Sequence, residues 1–221
     1  MRLSLNTVLA ASLLTGCANS SPVDGRELNS VTTVLDLFTS VFIVPTDEGA
    51  VLVDAGFRTG TVLGGLEDAG FAPEDVTDVL LTHGHSDHTT AINDLPNATV
   101  RALPEEAEVL AEEGAPGITE PLSPGELVLG GVTFEVFHVP GHTPGNAMFL
   151  VDRVLLMGDS AIANKDGTLA ETAARYSDDP SALVDSVRAV AATLSERDDP
   201  VDYLAPAHSD ALEGLAPLLA F

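Results

Sequence analysis

Cysteine is nearly absent. Cys17 is the only one in 221 residues, so no intramolecular disulfide can form. Basic residues are scarce as well: nine Lys and Arg stand against 34 Asp and Glu, a formal charge of −25, and Lys165 is the only lysine. Such a field repels phosphate backbones and anionic headgroups, which argues against a nucleic-acid partner. No internal repeat of fixed period and no low-complexity domain interrupts the chain. What remains is 45% hydrophobic, enough to bury a substantial core in one large domain or two small ones.

The N-terminus has its own character. Arg2 precedes a mostly apolar run over residues 3–14, too short to span a bilayer as a helix but of signal-peptide proportions. LTGC, residues 14–17, resembles a bacterial lipobox, which implies a signal peptide over 1–16, lipid attachment at Cys17, and export to the periplasmic or cell-surface face of a membrane. Residues 18–30 are polar with Pro and Gly, so 17–30 is expected to be a lipidated cysteine and tether. No basic cluster accompanies them, which leaves the lipid to hold the membrane. The domain proper is expected over 31–221.

Within it, apolar runs at 41–44 and 50–53 around PTDEG predict two strands and a tight turn. A helix over 61–69 stops at Gly70, and a strand over 76–82 delivers the chain into HGHSDH, followed by a short helix to Leu95. A strand at 98–102 and an acidic helix after Pro104 come next. Segments 126–129 and 132–139 flank Gly130-Gly131, a hairpin signal, and 148–151 and 154–157 pair around Asp152-Arg153. A helix over 181–194 precedes a last strand at 203–204. Local strand pairs interrupted by helices predict an α/β fold of two packed sheets with helices outside.

Three of the six histidines fall within LTHGHSDH, residues 81–88. In extended backbone His83 and His85 project to the same side, and Asp87 and His88 add an oxygen and a nitrogen as the chain turns. Gly84 and Ser86 read as small spacers leaving room for metals. The later polar positions also follow strands: His142 in PGHTPG, Asp159 in MGDS, His208 in PAHS. Loops at strand ends are where scaffolds carry function, and imidazole with carboxylate suits zinc and, less selectively, iron or manganese. His138, inside the strand before His142, reads as a core residue or one that orients a ligand.

THGHSDH, PGHTPG, MGDS and PAHS, in this order and spacing and beginning from VLVDAG at 51–56, resemble the motifs of the metallo-β-lactamase superfamily. The likeness is to small single-domain hydrolases of the glyoxalase II-like kind, and YSDDPSALVDSVRAV with LAPAHSD resembles small metallo-β-lactamase-domain-containing hydrolases. The resemblance implies a four-layer αββα sandwich with two mixed sheets. It implies that His83, His85 and His142 hold one metal, that Asp87, His88 and His208 hold a second, that Asp159 bridges them, and that Asp54 lies beneath the site. Thr89 and Thr90 stand where many relatives have glycine, and PAHS replaces the commoner PGHG; both departures bear on substrate more than on metal.

Two divalent cations, most readily Zn²⁺ with Fe or Mn as alternatives, would lower the pKa of a bound water from about 15.7 to about 7. The expected reaction is hydroxide attack on the carbonyl of a small ester, thioester, lactone or amide, with Asp87 orienting the nucleophile or shuttling its proton. Lys165, Arg58 or Tyr176 could contact the substrate. The competing readings are a mononuclear iron sulfur dioxygenase, a phosphodiesterase or nuclease, a β-lactamase, and a non-catalytic metal-binding lipoprotein.

Overall fold

The computed structural model describes residues 19–221; the expected signal peptide and Cys17 lie outside the described residues. Seven strands form the first sheet: β1 (Glu27–Leu28), β2 (Val31–Asp36), β3 (Thr39–Thr46), β4 (Gly49–Val53), β5 (Val76–Leu80), β6 (Thr99–Ala102) and β7 (Glu120–Pro121), in that spatial order. The second sheet contains β8 (Gly125–Leu129), β9 (Val132–His138), β10 (Ala147–Val151), β11 (Val154–Gly158), β14 (Tyr203–Pro206) and β15 (Leu212–Glu213), ordered β15-β14-β11-β10-β9-β8. A small hairpin, β12 (Ile162–Ala163) with β13 (Leu169–Ala170), stands apart. Both large sheets are mixed, because β4, β5, β6 and β7 run parallel while their predecessors alternate, and β11 pairs β14 in parallel.

The strand period explains the layers. On β3, Phe42 and Val44 point between the sheets to meet Phe134, Val136 and Phe149, whereas Val41 and Ile43 point outward. Those outward residues are covered by Val62 and Leu66 of α1 (Thr59–Asp68) and by Leu110 of α2 (Ala107–Glu113). Beyond the second sheet, Met148, Leu155 and Leu204 pack on Leu183, Val187 and Leu194 of α3 (Pro180–Ser195) and on Leu218 of α4 (Ala216–Leu219). Central strands are therefore buried on both faces, and their sequences read as unbroken apolar runs. The expected αββα sandwich is the observed fold. None of these helices is long and apolar enough to cross a membrane.

Two expectations change. Residues 19–30 are no free tether: Leu28 is buried in the core between the sheets, and Arg26 pairs with Asp210. Asn19 bridges Asn164, and Ser20 bonds Ala163 at 2.9 Å through its N–H and receives the N–H of Asp210 at 3.1 Å. The short helix expected after HGHSDH is two 3-10 segments, Ser86–His88 and Thr90–Asp94. There the hydroxyls of Thr89 and Thr90 donate back to the carbonyls of His85 and Ser86, a local bonding that competes with a regular helix.

Candidate metal centre

The polar residues gather at one edge of the sandwich, where β4, β5, β11 and β14 end. Asp54 follows β4 with φ 64°, a left-handed turn that folds its carboxylate under the next strand end. That carboxylate accepts the Thr82 N–H at 2.8 Å and the Thr82 hydroxyl at 2.8 Å, and lies 2.7 Å from Nδ1 of His88. Because the Thr82 hydroxyl gives its proton to Asp54, it is an acceptor for Nδ1 of His83 at 3.0 Å. Nδ1 of His208 donates to the Phe38 carbonyl at 2.9 Å. Each contact places the ring proton on Nδ1 and leaves Nε2 as the atom aimed into the cluster.

Three groups of candidate ligands result: His83, His85 and His142; His83, His88 and Asp159; Asp87, His88 and His208, with ligand atoms in each group within 4.8 Å of one another. Nε2 of His142 is 3.1 Å from Nδ1 of His85. The Asp159 carboxylate reaches Nε2 of His208 at 3.0 Å, of His88 at 3.3 Å and of His142 at 3.5 Å, so it stands between the two outer groups. Oδ2 of Asp87 lies 3.5 Å from Nε2 of His208 and 3.7 Å from Nε2 of His88. Nε2 of His83 is buried with no hydrogen-bond partner among the described residues. Buried polar atoms are rarely left so, and a lone pair facing other imidazoles and a carboxylate fits a cation.

The electrostatics agree. Burial, with His88, His142 and His85 nearby, holds His83 well below the usual histidine range, and burial drops His142 to about 4. Burial would also lower His88, but Asp54, Asp87 and Asp159 outweigh it and lift the ring well above its ordinary value. In the same way Asp159 overrides burial and raises His208 to about 9. His208 and His88 in turn overcome burial at Asp159 and keep its carboxyl well below the usual range. Without a cation, protonated His88 and His208 stand against the three carboxylates of Asp54, Asp87 and Asp159; a metal ion would displace those protons.

The other expected residues stand outside this cluster. Nε2 of His138 lies 2.8 Å from the Pro144 carbonyl, so it braces the loop that carries His142. Lys165 is exposed in the turn of the β12–β13 hairpin, and exposed Arg58 contributes its backbone N–H to Asp36. Tyr176 carries the Arg175 guanidinium over its ring at 4.4 Å. Among the described residues, none of these three is hydrogen-bonded or ion-paired to the seven clustered residues. Gly84 makes room for protein rather than metal, since a Cβ there would lie 3.0 Å from the Leu110 nitrogen and 3.2 Å from Glu106 Oε1.

Residues not anticipated complete the surroundings. Phe38, besides holding His208 by its carbonyl, stacks its ring on that imidazole at 5.7 Å and 26°. Thr82 links Asp54 to His83, and Glu106 is a fully buried carboxylate. Thr82 precedes the motif directly and was within reach of the sequence reading; nothing near Phe38 or Glu106 in the sequence announces its role.

With this geometry in view, the model of the metallo-beta-lactamase superfamily matches residues 35–208. The chain belongs to that superfamily. Among curated superfamily proteins, a hydroxyacylglutathione hydrolase of Xanthomonas oryzae pv. oryzae is 34% identical over 58% of this chain and 48% of its own length. A hydroxyacylglutathione hydrolase of Salmonella arizonae is 31% identical over 65% of this chain and 55% of its own. The chain thus spans about half the length of the curated relatives it matches. The solved metallo-beta-lactamase of Pontibacter korlensis superposes with a TM-score of 0.70 at 20% identity, covering 88% of this chain and 96% of that one, a likeness of fold.

Proposed function

We propose that the protein is a binuclear metal-dependent hydrolase of small thioesters and esters, with lactones and amides as neighbouring substrates. The observation that carries the proposal is the Asp159 carboxylate, 3.0 to 3.5 Å from imidazoles of both outer groups. The named activity of the curated relatives supports thioester cleavage; since the chain spans about half of them, recognition of glutathione itself is not carried over.

His83, His85 and His142 would hold one ion, Asp87, His88 and His208 the other, and Asp159 both. Two Zn²⁺ ions bound there would supply a nucleophile from water at neutral pH and polarise the carbonyl under attack. Asp54 and the Phe38 carbonyl keep His88 and His208 in the tautomer that binds metal. Asp87, whose side chain is partly open to solvent, accepts the proton that the attacking water gives up at its carboxylate.

The test is metal analysis of the full chain followed by a substrate panel on the same sample: S-acyl thioesters, aryl esters, a lactone, a cephalosporin and a phosphodiester. Two zinc equivalents with thioester or ester turnover, lost in Asp159→Ala, is the expected result. Trace metal under every loading condition refutes it, as does a single iron with oxygen uptake. Export and lipidation at Cys17 belong to the same proposal, and fatty-acid labelling that survives in Cys17→Ser would refute them.

A further inference from the structure

Glu106 is a carboxylate with 0% exposure and no ion-pair partner among the described residues, at the turn that opens α2, and burial pushes its carboxyl above the usual value. Its Oε1 accepts the N–H of Gly84 at 2.8 Å, and its Oε2 accepts the Thr143 hydroxyl at 2.8 Å and the N–H of Gly145 at 2.9 Å. Three donors and no acceptor face it, an arrangement that satisfies the ionised form. Those donors come from two separate loops. Gly84 sits between His83 and His85, and Thr143 follows His142, so one carboxylate ties together the loops that bear all three histidines of one group. The approach is close: a Cβ on Gly145 would come within 2.5 Å of the Glu106 nitrogen and 2.7 Å of Oε2. The other outer group is braced differently, by Asp54 at His88 and the Phe38 carbonyl at His208.

Resting on the reading of the cluster as a metal centre, we infer that Glu106 is the positioning residue of the three-histidine site, setting the separation of its two loops. It touches no ligand ring through a hydrogen bond and acts through the backbone on either side of the ligands. Glu106→Gln keeps the volume but opposes an N–H₂ to a backbone N–H whichever way the amide turns, because Gly84 faces one oxygen and Gly145 the other.

The experiment titrates the full chain with Zn²⁺ against a chromophoric chelator in two backgrounds. His208→Ala leaves the three-histidine site, and His85→Ala leaves the site of Asp87, His88 and His208. Glu106→Gln should weaken zinc roughly ten- to a hundredfold in the first background and less than about twofold in the second. Thr143→Val, which removes one of three donors, should give a smaller loss in the first background only, and carries the test if Glu106→Gln does not fold. Equal losses in both backgrounds, or none in either, overturn the inference while two-zinc binding by the unaltered chain upholds the metal centre. An unaltered chain that takes up no zinc overturns both.

Discussion

Asp54→Asn is the sharpest single perturbation of the cluster. Asparagine tolerates the left-handed backbone that Asp54 adopts at φ 64°, so the substitution removes charge without imposing backbone strain. The Asp54 oxygens face only donors: the Thr82 N–H at 2.8 Å, the Thr82 hydroxyl at 2.8 Å and Nδ1 of His88 at 2.7 Å. An amide must turn its N–H₂ toward one side. If it faces Thr82, a buried N–H loses its acceptor, a cost of about 1–3 kcal/mol. If it faces His88, the ring has to accept at Nδ1, and its proton moves to Nε2, the atom aimed at Asp87 and Asp159. The metal-free protein should therefore lose about 1–3 kcal/mol in urea unfolding. Zinc affinity at the site holding His88 should fall roughly ten- to a hundredfold, about 1.4–2.7 kcal/mol. Both are measured on one preparation, by denaturation without metal and by chelator competition with it. Unfolding free energy and affinity both unchanged from the parent would refute the reasoning.

Four further outcomes follow from particular contacts. Gly145→Ala should destabilise the fold by about 1–3 kcal/mol in thermal or urea unfolding, because its Cβ would enter the space of Glu106. His208 has its folded pKa raised to about 9, so in metal-free protein its contribution to stability is complete below about 6.5 and lost as pH rises through about 9. Zinc must displace that proton; calorimetry at pH 7.5 in buffers of different ionisation enthalpy should register proton release, and affinity should climb toward pH 9. His142, lowered to about 4, works in the opposite sense and destabilises the metal-free fold as pH drops from about 6.5 toward 4, which a melting series reads directly. A chain starting at Ser30 should lose about 1.5–3 kcal/mol relative to one starting at Asn19, since Leu28 leaves the core.

The ligands were legible because metal chemistry restricts residue type: with only six histidines in the chain, five of them after apolar runs leave few other readings. Strand positions were legible for a similar reason, since burial on both faces writes continuous apolar runs. Glu106 was hidden among five glutamates between Pro104 and Gly114, and only the approach of two distant loops singles it out. The first strands escaped as well. Glu27–Leu28 is too short to show a period, and VTTVLD at Val31–Asp36 breaks the period-2 alternation of a strand, with two threonines together and then Val34 beside Leu35. Phe38 acts through a backbone carbonyl, which no side-chain pattern reports.

The stitching of the N-terminal segment at Ser20 sets a direction as well as a contact. Asn164 lies five residues past Asp159 and Asp210 two past His208, so residues 19 and 20 are fastened to the two loops leaving the cluster. A single residue, Ala18, separates Cys17 from Asn19, a reach of about 7 Å over two Cα–Cα steps. An attachment at Cys17 would leave almost no leash: the domain could not drift or tumble beneath its anchor. The side of the sandwich where these two loops emerge would be held against the surface to which that cysteine is fixed.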